Sequence, residues 1–376
     1  MKIIAVQAIP LRVPAANVEH LDGSQDDVII RIETDAGIEG IGEADASPEI
    51  VKAIVEAPAS HAWSKGLREL LVGQNPFEVE KLWDRMFKGS IYYGRRGAAI
   101  AAMSGVDIAL WDVVGKAEGK SISELLYSGF RNRIPVYASL YPIGETPEDV
   151  KRNCQRAIAK GFRAVKPDGP PLGQDAELDR EILQAVRDGI GNEYELMVDV
   201  AEPGWDLKQG IARARMYSNY DLYFLEAPFG PEDFTNYRAL SESVDLRIAY
   251  GEQHTTRFEF KELMENGKVN VIQPDISRAG GITELRRIAQ MAQERGVLVI
   301  PHCWKTGISI AANLHLLSAL QNAPYLEFCQ PPNSPLRYDL LKHDFSVVDG
   351  CVQVPDGPGL GIELNEKTLD RYRTDK

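Results

Sequence analysis

Eight short apolar stretches recur along the chain from Ile134 onward, each followed by an amphipathic helical segment: IPVYASL, FRAVKP, ELMVDV, LYFLEAP, RIAYGEQ, VNVIQPD, VLVIPHC and YLEF. Strands that alternate with helices build βα units around a parallel sheet. With eight strands spaced about 25–30 residues apart, a closed α/β barrel fits better than an open sheet. That barrel constrains everything else, because such folds assemble their chemistry at the C-terminal ends of the strands.

At 376 residues the chain is too long for one ordinary compact domain. The rhythm changes near residue 130. Before it, the alternating stretches Lys2–Val13 and Val28–Glu33 and the run Gly37–Gly42 suit an antiparallel meander, followed by helical patterns that include the Ala-rich Ala98–Lys116. The expected organisation is an N-terminal α+β domain over 1–130, a barrel over 131–330 and a Gly/Pro-rich segment, 331–376, that packs back on the first domain.

The strand ends are where chemistry is expected. In order they give Lys166, Asp199, Glu226, Glu252, Asp275, His302 and Glu327. One carboxylate after an apolar run is an ordinary cap or turn residue; seven ionisable groups on seven consecutive strands form a ring at one mouth. Asp199, Glu226 and Glu252 are each one βα unit apart and so stand on adjacent strands, where they would repel unless a cation held them or some stayed protonated. Oxygen ligands without His or Cys suit a hard ion, Mg²⁺ in preference to Zn²⁺. Asp275 and His302 follow on the next two strands; a carboxylate beside an imidazole fixes its tautomer and makes it a better general base. Glu327 is expected to stay protonated and to donate a hydrogen bond to a developing oxyanion.

Composition excludes several classes. The net charge of −13 argues against nucleic acid, which needs a basic face. The N-terminus has no signal-peptide pattern, and no run was expected to reach the ~18 apolar residues that span a bilayer. The four cysteines, Cys154, Cys303, Cys329 and Cys351, show no paired metal spacing and read as buried thiols of a reduced, cytoplasmic enzyme.

The ordered set VKPD, MVDV, FLEAP, YGEQ, QPDISRAGG and PHCW, with the closing PDGPGLGIE, resembles the enolase superfamily, in particular its mandelate racemase subgroup. The resemblance spans nearly the whole chain. It implies a modified (β/α)₇β barrel, a TIM-barrel variant, under an α+β capping domain. It further implies Asp199, Glu226 and Glu252 as Mg²⁺ ligands, Asp275 with His302 as the base dyad, and Glu327 as a group hydrogen-bonded to the substrate carboxylate. An even-numbered homo-oligomer follows from family habit.

Two departures bear on the reaction. Racemising members carry Lys-x-Lys after the second barrel strand, whereas this chain has Lys166-Pro167-Asp168, so the second base is replaced by an acid. Many members have Asp-x-Asn at the first ligand; here the run is Asp199-Val200-Ala201-Glu202, leaving Glu202 or Trp205 to shape the pocket or to face solvent. One base acting alone points to β-elimination: dehydration of a sugar acid, a small-molecule carboxylate, to a 2-keto-3-deoxy acid. Epimerisation or lactone cycloisomerisation on the same scaffold, with Lys166 or a cap residue as second acid, and a catalytically silent binding protein remain as alternatives. Substrate specificity is expected from the cap loops 15–27 and 90–97, with Asn17, His20, Asp22, Tyr92, Tyr93, Arg95 and Arg96.

Overall fold

The computed structural model describes every residue except Ala15, 18–22, Ser128 and Phe130; His20 and Asp22 therefore lie outside the described residues. The N-terminal sheet is an antiparallel meander of β1 (Ile3–Arg12), β2 (Asp26–Thr34) and β3 (Glu39–Glu43). Its β3 lies almost in contact with the helix Ala98–Glu118. A Cβ at Gly40 would stand 2.2 Å from the Ala109 carbonyl oxygen, and one at Gly42 only 2.0 Å from that of Gly105. Glycine is required there because helix backbone occupies the volume of any side chain.

That helix corrects one expectation. It is long and apolar enough to cross a bilayer, with a mean hydropathy of 1.5, yet 94% of its apolar window is buried inside the protein. A helix apolar on all sides is what a position between two layers demands. The β3 sheet covers one side, and Asp107 and Ser104 reach across to the barrel, accepting from the Thr283 and Gly280 N–H groups at 2.8 Å each.

The barrel follows. Strands β4 (Arg133–Leu140), β5 (Ala164–Pro167), β6 (Glu195–Asp199), β7 (Leu222–Glu226), β8 (Ile248–Tyr250), β9 (Val271–Ile272) and β10 (Leu298–Val299) pair in parallel in chain order. β11 (Leu326–Cys329) returns to pair in parallel with β4, and the Val299 N–H donates to the Asn322 carbonyl to join the remaining side. A helix follows each of β4 to β10 and none separates β11 from closure, which is the (β/α)₇β order. Several of these helices begin at a capping side chain: Thr146, Asp175, Asp206, Asp233 and Thr306 each accept from first-turn N–H groups.

Inside the barrel, Tyr137, Ala164, Met197, Phe224, Ala249, Val271 and Ile300 form a closed apolar layer. Side chains alternate along a strand, so the residue two positions on faces the same interior, nearer the C-terminal mouth. Those positions hold Ser139, Lys166, Asp199, Glu226, Gly251, Gln273 and His302, and Glu327 stands two beyond Tyr325. The polar ring thus rests on an apolar plug that keeps water from reaching it from below.

The C-terminal segment does two things. A hairpin of β12 (Val347–Val348) and β13 (Cys351–Gln353) extends the barrel sheet by antiparallel pairing with the start of β4, a role its sequence did not announce. The chain then crosses to the cap, where Gly359 bridges Ser121 and Thr374 N–H donates to the Pro10 carbonyl. All four cysteines are free; Cys154, Cys303 and Cys329 are buried, but Cys351 is partly exposed, contrary to expectation.

Candidate active site

Lys166 is the centre of the ring. Its ammonium lies 2.7 Å from Glu226 Oε2, 2.9 Å from Glu327 Oε1 and 3.5 Å from Asp199 Oδ2, fully buried. Burial works against its charge, but Glu226 and Glu327 outweigh it and hold its pKa well above the ordinary lysine value. Glu226 is shifted upward, first by burial and then by Asp199, with Lys166 opposing; its Oε1 is buried and has no hydrogen-bond partner.

Glu327 was expected to be neutral, and its surroundings push its pKa the other way. Burial raises its pKa, but Lys166, His302 and the Cys303 N–H, which donates to it at 2.9 Å, together bring it below the ordinary glutamate value.

Glu252, two residues past β8, and Asp275 and His302, each three past their strands, meet at the mouth. His302 Nδ1 is 2.6 Å from Asp275 Oδ2, and its Nε2 is 3.2 Å from Glu252 Oε2. The Ser277 N–H and hydroxyl both donate to Asp275 Oδ1, so the carboxylate that orients the ring is itself fixed. Burial lowers the imidazole pKa, but Glu252 and the Asp275 hydrogen bond raise it to about 10.

These groups open on a cavity of about 310 Å³, at the small end of the range for small-molecule sites. Asp199, Glu252 and His302 form its floor; Tyr141, Asp168, Glu202, Gln253, Arg278 and Trp304 stand around them, and Gly23 closes it from the cap. Lys166 does not line it. Asp168, beside Asp199, is pushed well above the ordinary carboxylate range by burial and then by Asp199.

Several of these residues escaped the sequence reading. Arg278, three positions past Asp275, binds Asp45 of the cap through Nε (2.8 Å) and Nη2 (2.7 Å). Lys305, three past His302, donates to the carbonyls of Gly23 (2.6 Å) and Asp26 (3.1 Å). They tie the cap to the barrel mouth. Their signal was proximity in sequence to the dyad, which the strand-end rule passed over. Glu202 does line the cavity; Trp205 does not, and its indole N–H instead donates to the Gly173 carbonyl.

The cap loop 90–97 also falls elsewhere. Tyr92 is 67% exposed against His61 and Trp63, the Tyr93 hydroxyl donates to the Lys65 carbonyl, and Arg96 pairs with Glu259. Arg95 is exposed, and none of the four lines the cavity. Asn17 pairs with Gln25 through its backbone, near the loop but not on the cavity wall.

The donors fit a hard divalent cation: they are all carboxylate oxygens, and one of them, Glu226 Oε1, is buried and unsatisfied. As they stand, Asp199 and Glu226 lean on Lys166 and Glu252 on His302. Among the described residues no three acid, thiol or imidazole groups are already gathered to ligand distance.

A capped (β/α)₇β barrel with acids and an Asp–His pair at its mouth defines a class, and family comparison agrees with it. The chain belongs to the mandelate racemase/muconate lactonizing enzyme family of the enolase superfamily: residues 2–127 match the family's N-terminal domain, and residues 149–368 match the enolase C-terminal domain-like family. It is 33% identical to a D-galactarolactone cycloisomerase of Agrobacterium fabrum (92% of this chain, 91% of the relative). It is 32% identical to an arabinonate dehydratase of Saccharolobus solfataricus (92% and 90%). The crystal structure of a racemase from Streptomyces coelicolor A3(2) with bound magnesium superposes with a TM-score of 0.86 at 29% identity, covering 99% of this chain and 100% of that one.

Proposed function

We propose that this chain is a Mg²⁺-dependent lyase that removes the α-proton of a sugar acid and expels the β-hydroxyl, giving a 2-keto-3-deoxy acid. The observation that carries the reading is that a base faces the cavity from one side only. His302 lines it, whereas Lys166 lies below the floor, locked among carboxylates, and Asp168 occupies the place of a second lysine. A group so clamped has no path to a substrate carbon, which disfavours two-base epimerisation.

Asp199, Glu226 and Glu252 are the residues that would hold the cation. When bound, it would supply positive charge against the electrons released at the α-carbon. The remaining work belongs to the chain. His302 Nε2 takes the α-proton while Asp275 holds Nδ1–H and stabilises the charged ring. The C–H electron pair becomes the C2–C3 double bond, the C3–O bond breaks, and the imidazolium returns its proton to the departing hydroxyl as water. The enol then rearranges to the keto acid. Lys166 keeps Glu226 and Glu327 in place beneath this exchange.

The dehydratases among the relatives support this reading. A single base also serves lactone cycloisomerisation, the activity named for the Agrobacterium relative. Incubating the Mg²⁺-loaded protein with a panel of sugar acids and their lactones separates the two. Keto-acid formation with loss of water supports the lyase; isomerisation of a lactone without loss of water supports the second reading. α-Proton exchange that interconverts both C2 epimers, with neither product, refutes the one-base argument.

A further inference from the structure

We infer that the pocket selects monocarboxylate sugar acids whose far end carries only hydroxyls, and that Glu202 is the residue that turns away the corresponding dicarboxylates. The inference rests on the proposed reading, in which the reacting carboxylate lies on the floor beside Asp199, Glu252 and His302. The far end of a substrate then meets the wall, and the wall is acidic.

Glu202 is fixed by its surroundings. Its backbone takes the left-handed conformation at φ +55°, following Ala201 at φ +48°, and its N–H donates to the Ala227 carbonyl at 2.9 Å. Its Oε1 accepts from the Tyr250 hydroxyl at 2.7 Å and from Gln253 Nε2 at 2.9 Å. A strained backbone held by three hydrogen bonds commits this carboxylate to one position on the wall. Both of these bonds fall on Oε1, so the carboxylate is anchored through one oxygen while the residue lines the cavity. Asp168 lines the same cavity.

A second substrate carboxylate needs a cation, and among the described residues the wall offers only Arg278. That guanidinium is already engaged. Its Nε and Nη2 bind Asp45, and its Nη1 lies 3.3 Å from the Glu252 carbonyl oxygen. Lys305, the neighbouring ammonium, is turned away from the cavity onto Gly23, Asp26 and Asp45. A dicarboxylate would therefore place an unpaired charge against Glu202, and like charges meeting at a partly dehydrated site are a strong means of exclusion. Hydroxyls meet no such penalty, and Tyr141 and Trp304, packed edge to face, add aromatic surface to the cavity lining.

The test compares matched pairs that differ only in oxidation at the far carbon: D-galactonate with galactarate, D-gluconate with D-glucarate. Binding to the Mg²⁺-loaded His302→Asn protein is measured by calorimetry, and turnover by the native protein in parallel. Within the preferred pair the monoacid binds and reacts more tightly by about tenfold or more. Glu202→Gln, which keeps the shape and removes the charge, narrows the ratio by strengthening diacid binding, and Glu202→Ala does the same. Equal or better binding of the diacid overturns the inference, as does a ratio that neither Glu202 variant changes. If neither member of any pair binds or reacts, the sugar-acid reading itself fails and the selectivity falls with it.

Discussion

Replacing Lys166 with Met tests whether the ammonium is what holds the ring together. Its Nζ sits 2.7, 2.9 and 3.5 Å from three carboxylates with essentially no solvent access. At the effective dielectric that reproduces protein electrostatics, each near contact is a gross attraction of roughly 6 kcal/mol, most of it cancelled by desolvation. Methionine fills similar volume but leaves the acids facing one another, and breaking a buried pair in this way costs about 3–5 kcal/mol. With an unfolding entropy of about 2.1 cal/mol/K per residue, that lowers Tm by roughly 4–6 °C in a chain of this length. Mg²⁺ then matters more to the variant than to the native protein, because it no longer shares the carboxylates with an ammonium. The assay is thermal unfolding of both proteins, first chelated and then with saturating Mg²⁺. Melting of the chelated variant within about 1 °C of native, or a smaller Mg²⁺-induced rise in the variant, refutes the reasoning.

Chelation abolishes activity and Mg²⁺ restores it, whereas Glu226→Gln loses both activity and the Mg²⁺-induced rise in Tm; full turnover in a chelated preparation sinks the metal assignment. Gly42→Ala places a Cβ 2.0 Å from the Gly105 carbonyl oxygen and forces the β3–helix contact apart, costing about 1–3 kcal/mol or more; an unchanged urea midpoint contradicts this. His315 is buried, and burial lowers its pKa from 6.5 to about 4. The unfolded chain therefore binds the extra proton first, and up to roughly 3 kcal/mol of stability, fully present above pH 6.5, is lost as the pH falls toward 4. His315→Gln flattens that part of the stability–pH curve, and equal slopes for native and variant between pH 6.5 and 4.5 refute the assignment.

The polar ring was legible because two independent periodicities coincide on it. Barrel strands present every second residue to the interior, and the C-terminal end of each strand is where that interior opens, so Asp199, Glu226 and His302 announce themselves by position alone. Glu252, Asp275 and His302 were found by the same rule even though all three lie past their strands, since β8, β9 and β10 are short. What the rule missed lies in contacts between distant segments. Arg278 and Lys305 look like loop cations until Asp45, Asp26 and Gly23 from the cap are seen against them. Tyr92, Tyr93 and Arg96 have the composition of a sugar-binding loop, but the cap loop 61–65 and the Thr256–Glu262 helix claim them first. The charge state of Glu327 depends on an ammonium 161 positions away in sequence, and no local pattern encodes that. Conversely, the buried helix Ala98–Glu118 has the composition of a membrane span, and only the sheet and barrel packed around it assign its place.

His302 is the base on which the proposed reaction depends. With saturating Mg²⁺ and a reactive sugar acid in D₂O, the native protein releases the α-proton at its turnover rate. His302→Asn keeps Mg²⁺ and substrate binding, since Asp199, Glu226 and Glu252 are unchanged, and loses both α-proton release and turnover by about 10²–10⁴-fold. The measurement is proton NMR of the C2 position over time, in native and variant protein. Release at the native rate from the His302→Asn protein contradicts the account, because the base would then have to be another group.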